Sequence, residues 1–146
     1  MSLPKYALSV RQPWAWAILY AGKDIENRSV ASARGMRNER IAVHAAKGMT
    51  QWEYKTARDL MATLGIITPP PARLIRGAIV GTVDVTGQTY EGVSPWFFGP
   101  VGLRLEDPEP LQKPIPAKGA LGYFLWRAAG ELDPPRPWMI RKGAAS

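Results

Sequence analysis

The chain has no cysteine, a single histidine and no long apolar run. Without cysteine there can be no disulfide, thiolate metal site or cysteine nucleophile, and the absence fits a reducing compartment. One imidazole, His44, is too few for strand cleavage of the two-histidine kind, and no histidine/carboxylate cluster has metal-ligand spacing. No metal is expected, and the sequence leaves the cofactor open. No stretch approaches the ~18 apolar residues of a membrane span, and the opening MSLPKYALSV has no long apolar core. A soluble cytoplasmic protein without a membrane partner is therefore expected, with a monomer as the default. Internal repeats and heptad runs are also missing.

What is present is 146 residues, enough for one domain with one core, and a net charge of +7. The charge is unevenly spread. Through Arg76 there are 12 Lys/Arg against 5 Asp/Glu, whereas from Gly77 onward there are 7 of each. A basic region attracts polyanions over about a Debye length, so nucleic acid is the natural partner, an anionic membrane surface the next, and a merely solvated basic surface the plain alternative.

Tyr6 to Val10 reads as a short strand. A helix follows, with Pro13 in its first turn and Gly22 as its left-handed stop, and Trp14, Ala17, Ile18 and Ala21 on one buried face. Trp16 and Tyr20 point elsewhere, either shielding the helix flank or offering rings for base stacking. Asp24 to Ser29 reads as a strand with Glu26 and Arg28 on one face and Lys23 at its mouth. Val30 to Glu39, with Arg34 and Arg37, reads as a mobile basic loop. Arg40 to Ala46 is the next strand, with Ile41, Val43 and Ala45 in the core and Arg40, Ala42, His44 and Ala46 lining a cleft.

Thr50 and Glu53 form a capping box that opens a helix to about Leu64, with Gly65 as its stop and Ala57, Leu60, Met61 and Leu64 as its core face. Three consecutive prolines, Pro69 to Pro71, make a stiff connection. Gly77 to Val85 is the clearest strand, with Ile79, Val83 and Val85 on one face and Val80, Thr82 and Asp84 on the other. A loop from Gly87 to Pro100 carries Tyr90, Trp96, Phe97 and Phe98, after which Val101 to Leu105 and Gly122 to Trp126 read as closing strands. Short strands between Gly/Pro turns, with only two helices, point to an α+β fold built on a small β-barrel of about five to six strands. Residues 1–130 would form this domain and 131–146 a partly disordered extension, docked if at all by Trp138, Met139 and Ile140.

Gly22, Lys23, Glu26 and Arg28 spell Gly-x-Lys-x-x-Glu-x-Arg. With RIAVHAAK (40–47), GAIVGTVDV (77–85), GPVGLRLEDP (99–108) and PIPAKGALGYF (114–124), they give five ordered blocks that resemble the ASCH domain family, across roughly Tyr6 to Trp126. The resemblance implies a PUA-like β-barrel linked to RNA. Such domains include nucleic-acid binders, ribonucleases and small amidohydrolases, so the fold does not settle the activity.

The expected function is recognition of single-stranded RNA, or of a modified nucleotide within it, in a basic cleft. Arg11, Lys23, Arg28, Arg34, Arg37, Lys47 and Lys118 are the candidate phosphate contacts and Trp16, Tyr20 and Trp96 the candidate stacking rings. A ribonuclease is the alternative, with Lys23 or Lys47 neutralising a phosphate and Glu26 or His44 taking the 2′-hydroxyl proton. Glu26 has a plainer reading as a bridge between Lys23 and Arg28, and His44 as a satisfied, partly buried imidazole. Less favoured is an amidohydrolase of acetylated cytidine. The resemblance would give it Lys23, a hydroxyl three positions later and an acid such as Asp84, but position 26 is glutamate, which should keep the lysine protonated. A protein-interaction module is a further reading. The hydroxyls of Thr82 and Tyr123 complete the candidates, and Lys118-Gly119 reads mainly as a turn at the cleft rim.

Overall fold

Strands β1 (Tyr6–Val10) and β3 (Arg40–Ala45) lie parallel within a six-stranded sheet in the computed structural model, which describes residues 2–140. The remaining strands are β2 (Ile25–Arg28), β4 (Ala78–Thr89), β5 (Val101–Pro116) and β6 (Tyr123–Leu125), and the spatial order is β2-β5-β4-β3-β1-β6. All other pairings are antiparallel, and repeated register shifts along β4 curl the sheet into a half-closed barrel. Helix α1 (Trp14–Tyr20) lies in the β1–β3 crossover with a short α2 (Val30–Arg34), and α3 (Gln51–Thr63) follows β3. The fold is α+β, with α1 and α3 as its main helices.

Helix α1 is short, and tertiary contacts hold it. Gln12, buried ahead of it, accepts from the Trp16 N–H at 2.9 Å and donates to the Ile75 carbonyl at 2.7 Å. Ala15, Ala17, Ile18 and Leu19 are its buried residues, whereas Trp14 and Ala21, expected with them, are only partly covered. Gly81 lets the helix sit this close: a Cβ there would fall 2.5 Å from Leu19 Cδ2 and 2.7 Å from the Glu109 carbonyl oxygen. Thr50 and Glu53 cap α3 reciprocally as expected. Its buried face is Tyr54, Ala57 and Met61, while Leu64 is exposed.

Three expectations are corrected. Val30–Arg34 is a helix, not a loop, because the Ser29 hydroxyl accepts from the Ser32 N–H and caps it. On β4, Val80 is an extra residue between Ile79, paired with His44, and Gly81, paired with Val43. That bulge breaks the alternation, so Val80 joins Val83 and Val85 in the main core and Ile79 joins a smaller cluster with Ala7, Ala42 and Ala117. On the second face of β3, Ala42 joins that smaller cluster, while His44 is buried and lines a depression. Finally, β5 runs on to Pro116: β2 covers only Val101–Arg104, so the prolines beyond lie where one strand edge needs no partner.

The extension from residue 131 packs on the body as far as Ile140, with Met139 buried against Met49, Tyr54 and Leu74, and Trp138 beside them. Buried Arg76 fastens it, donating to the carbonyls of Pro134 and Lys47. The tail residues 141–146, included in the expected disordered extension, lie outside the described residues, as does Met1.

Candidate functional site

Gly22 has a φ of +73°, a conformation that suits glycine, and the turn it makes sends Lys23 back beneath α1, with the Lys23 N–H on the Ala17 carbonyl at 3.1 Å. The lysine side chain is 3% exposed. Its ammonium donates to the Ile25 carbonyl, lies 3.5 Å from Glu26 Oε1, and faces the rings of Trp14 and Trp96 at 5.7 and 5.9 Å. Those two rings meet edge to face at 6.4 Å. Together with Asn27 and Phe98 they line a cavity of about 150 Å³.

The far wall is held by Asn27. Its amide donates to the Trp96 carbonyl at 2.9 Å and accepts from the N–H groups of Phe98 (2.7 Å) and Gly99 (3.0 Å). Ser94 adds a bond to Asp24 at 2.6 Å. Glu26 is held less firmly, since Lys23 and Arg28 each stand 3.5 Å from one of its oxygens, leaving acceptor capacity toward the cavity. Arg28 is tied behind it by Ser32 Oγ at 3.0 Å.

Burial pushes the Lys23 ammonium below the ordinary lysine range, and the nearby Glu26 and Asp24 only partly restore it. Glu26 acts in the expected direction, and desolvation is the larger of the two effects.

The other sequence candidates are dispersed. His44, Lys47 and Lys118 line a separate depression of about 520 Å³. His44 is a buried imidazole with a partner at each ring nitrogen. Asp84 is engaged by Arg40 at 3.0 Å, which also bonds the Thr82 hydroxyl at 2.9 Å and approaches Asp107 and Glu109. Arg11 makes a two-pronged bond to Glu53 at 2.6 Å through Nε and Nη2. Trp16 and exposed Tyr20 stack on each other at 6.2 Å beside a groove of about 340 Å³. Arg34 is exposed at the end of α2, and exposed Arg37 reaches over the Tyr6 ring at 5.9 Å. The Tyr123 hydroxyl is buried without a partner while its ring stacks on Tyr6 at 4.5 Å.

Sequence reasoning found Lys23, Glu26 and Trp96, but missed Asn27 and assigned Trp14 to the core. Phe98 was placed only in an aromatic loop. Nothing local signals their meeting, because Asn27 and Phe98 join across a strand pairing of distant segments.

No protein-family model matches the chain. Among the described residues no group of three or more His, Asp or Glu could hold a metal ion, and no helix is long and apolar enough to cross a membrane.

Proposed function

We propose that the chain is a nucleic-acid-binding domain of the ASCH type, with a PUA-like fold, that takes one unpaired base of single-stranded RNA, plain or modified, into the Trp14/Trp96 cavity. The observation that carries this reading is the pairing of aromatic walls with a buried, incompletely satisfied Lys–Glu pair. At about 150 Å³ the space is well below the ~300 Å³ at which drug-sized pockets begin, which suits one planar ring system. Glu26 can accept from an exocyclic amine and Lys23 can donate to a ring nitrogen or carbonyl, a combination matching the edge of cytosine. Ring contacts supply ~1–3 kcal/mol per base, and exposed Arg34 and Arg37 supply cations for the flanking phosphates.

The test is retention of labelled single-stranded RNA by wild type, Phe98→Ala and Lys23→Met over a salt series. Phe98 is 64% exposed, so its removal leaves the core intact while opening the cavity. The expected result is a tenfold or greater loss of affinity in each variant and a steep fall with salt in the wild type. Unchanged affinity in both variants overturns the base-insertion reading, and salt-independent binding overturns the phosphate contacts.

A second reading is hydrolysis of an amide on such a base, toward which the downward shift of the Lys23 pKa by burial points, since it eases loss of the ammonium proton. Glu26 would have to serve as its acid partner, since Asp84 is occupied by Arg40. Strand cleavage is less supported, because His44 and Lys47 line a different depression. Incubation of acetylated cytidine with the wild type, read as loss of the acetyl mass, separates hydrolysis from binding alone.

A further inference from the structure

The depression beside β1 and β3 shares no lining residue with the Lys23 cavity. Ser9 and His44 are paired residues on these parallel strands, and Ser9 Oγ lies 2.9 Å from His44 Nδ1. The other ring nitrogen, Nε2, lies 2.7 Å from the carbonyl oxygen of Ala117. A carbonyl can only accept, so Nε2 carries the proton. In the neutral ring Nδ1 is then the acceptor, and the Ser9 hydroxyl points its proton at it. Nucleophile, base and a third group orienting the base are thereby in line.

The turn at Lys118 and Gly119 passes directly over this pair. A Cβ at residue 119 would fall 2.7 Å from His44 Cε1 and 3.3 Å from Ser9 Oγ, so the close approach depends on glycine. The Lys118 N–H is taken up by the bridge that pairs Ala117 with Ala128, but the Gly119 N–H takes no acceptor among the described residues, which leaves a backbone donor at the turn over the hydroxyl. A further observation points to a ligand: Asp133 Oδ2, on the same depression, is buried without a hydrogen-bond partner. Lys47, whose ammonium stands 3.7 Å from Asp133 Oδ1, and Lys118 add positive charge at the rim.

We propose that Ser9 and His44 form a second site, in which Ser9 is the nucleophile of ester hydrolysis on a small ester carrying an anionic group and a hydrogen-bond donor. Ser9 Oγ bonds to the acyl carbon as its proton passes to His44 Nδ1, and the Gly119 N–H stabilises the oxyanion. The bond from acyl carbon to the alcohol oxygen breaks, and His44 returns the proton to that oxygen. Water then adds to the acyl-serine by the same relay and releases the acid and free Ser9. The anionic group is held by Lys47 and Lys118, and the donor satisfies Asp133 Oδ2.

The test is covalent labelling of the full chain with a fluorophosphonate reagent, located by peptide mass spectrometry, with urea-unfolded protein alongside. The expected result is a single label at Ser9 in the folded protein, none after unfolding or in Ser9→Ala, and labelling slowed at least tenfold in His44→Gln. Near-UV circular dichroism checks that both variants are folded. Absence of label at Ser9 in the folded wild type overturns the proposal whatever the variants do. A His44→Gln rate equal to wild type also overturns it, because the hydroxyl would then be unactivated. Neither result touches the RNA reading, whose variants lie at the other cavity.

Discussion

Lys23 and Glu26 form an ion pair at 3.5 Å with side chains 3% and 11% exposed. Removing one partner of such a pair leaves the other charge uncompensated, at about 3–5 kcal/mol for a fully buried pair, and somewhat less here because Arg28 also stands 3.5 Å from Glu26. Lys23→Met should therefore lower the melting temperature by several degrees. The double replacement Lys23→Met/Glu26→Leu should recover most of that loss while still failing to retain RNA. Thermal unfolding of the three proteins, read beside RNA retention, separates a stabilising pair from a recognising one.

Asn27→Ala should act on the cavity without touching a ligand directly. It removes the acceptor of two backbone N–H groups and the donor to a third peptide; the Phe98 bond is exposed and the other two are part-buried, so the loss is about 1 kcal/mol for each of those two. The segment from Trp96 to Gly99 should loosen, which a shift in tryptophan emission and faster amide exchange at Phe98 and Gly99 would report. Unchanged exchange there would mean that other contacts hold the loop.

Gly81→Ala is the sharpest packing test. The added methyl meets the Glu109 carbonyl oxygen at 2.7 Å, and a backbone atom cannot rotate away as Leu19 can. Overpacking of this kind costs about 1–3 kcal/mol, so the urea midpoint should fall with little change in slope. Trimming Leu19 as well, in Leu19→Ala/Gly81→Ala, should not rescue it, because the Glu109 contact remains.

Acid should weaken the junction between α1 and α3. The Glu53 carboxyl is pushed down to about 2 from its ordinary value near 4.5, chiefly by its hydrogen bonds to Arg11 and then by the Thr50 N–H, against some desolvation. A carboxylate with a depressed folded-state pKa contributes stability that is full above 4.5 and is lost as pH falls toward about 2. The pair is partly solvent-exposed, so the contribution is about 1 kcal/mol or less. Glu53→Gln should flatten the stability profile over that window, as urea titrations at several pH values would show.

The order of the strands and the two main helices, the capping box at Thr50 and the turn at Gly22 were legible because each is a local signal, whereas the one-turn helix at Val30 was not. The Lys23–Glu26 pair was legible for the same reason, since three residues separate the two. What the sequence concealed depends on distant chain segments. The bulge at Val80 inverted an alternation that reads cleanly residue by residue, and so moved Val80 into the main core and Ile79 into the smaller one. The count of charges along the chain also hides their pairing in space, because Arg40 draws Asp84, Asp107 and Glu109 from the neutral second half, and Lys47 faces Asp133.

Strand β5 bonds both β2, which carries Glu26 and Asn27, and β4, whose end leads into the loop bearing Trp96 and Phe98. Floor and wall of the cavity are thus closed by contacts 69 to 72 residues apart. Non-local closure of this kind is slow relative to helix formation. During refolding Lys23 and Glu26 should meet early in water and lose their solvent only when β5 docks. Recovery of RNA retention should then lag behind recovery of helical signal, and slowing mutations in β5, such as Leu103→Ala, should lengthen that lag although Leu103 touches no ligand.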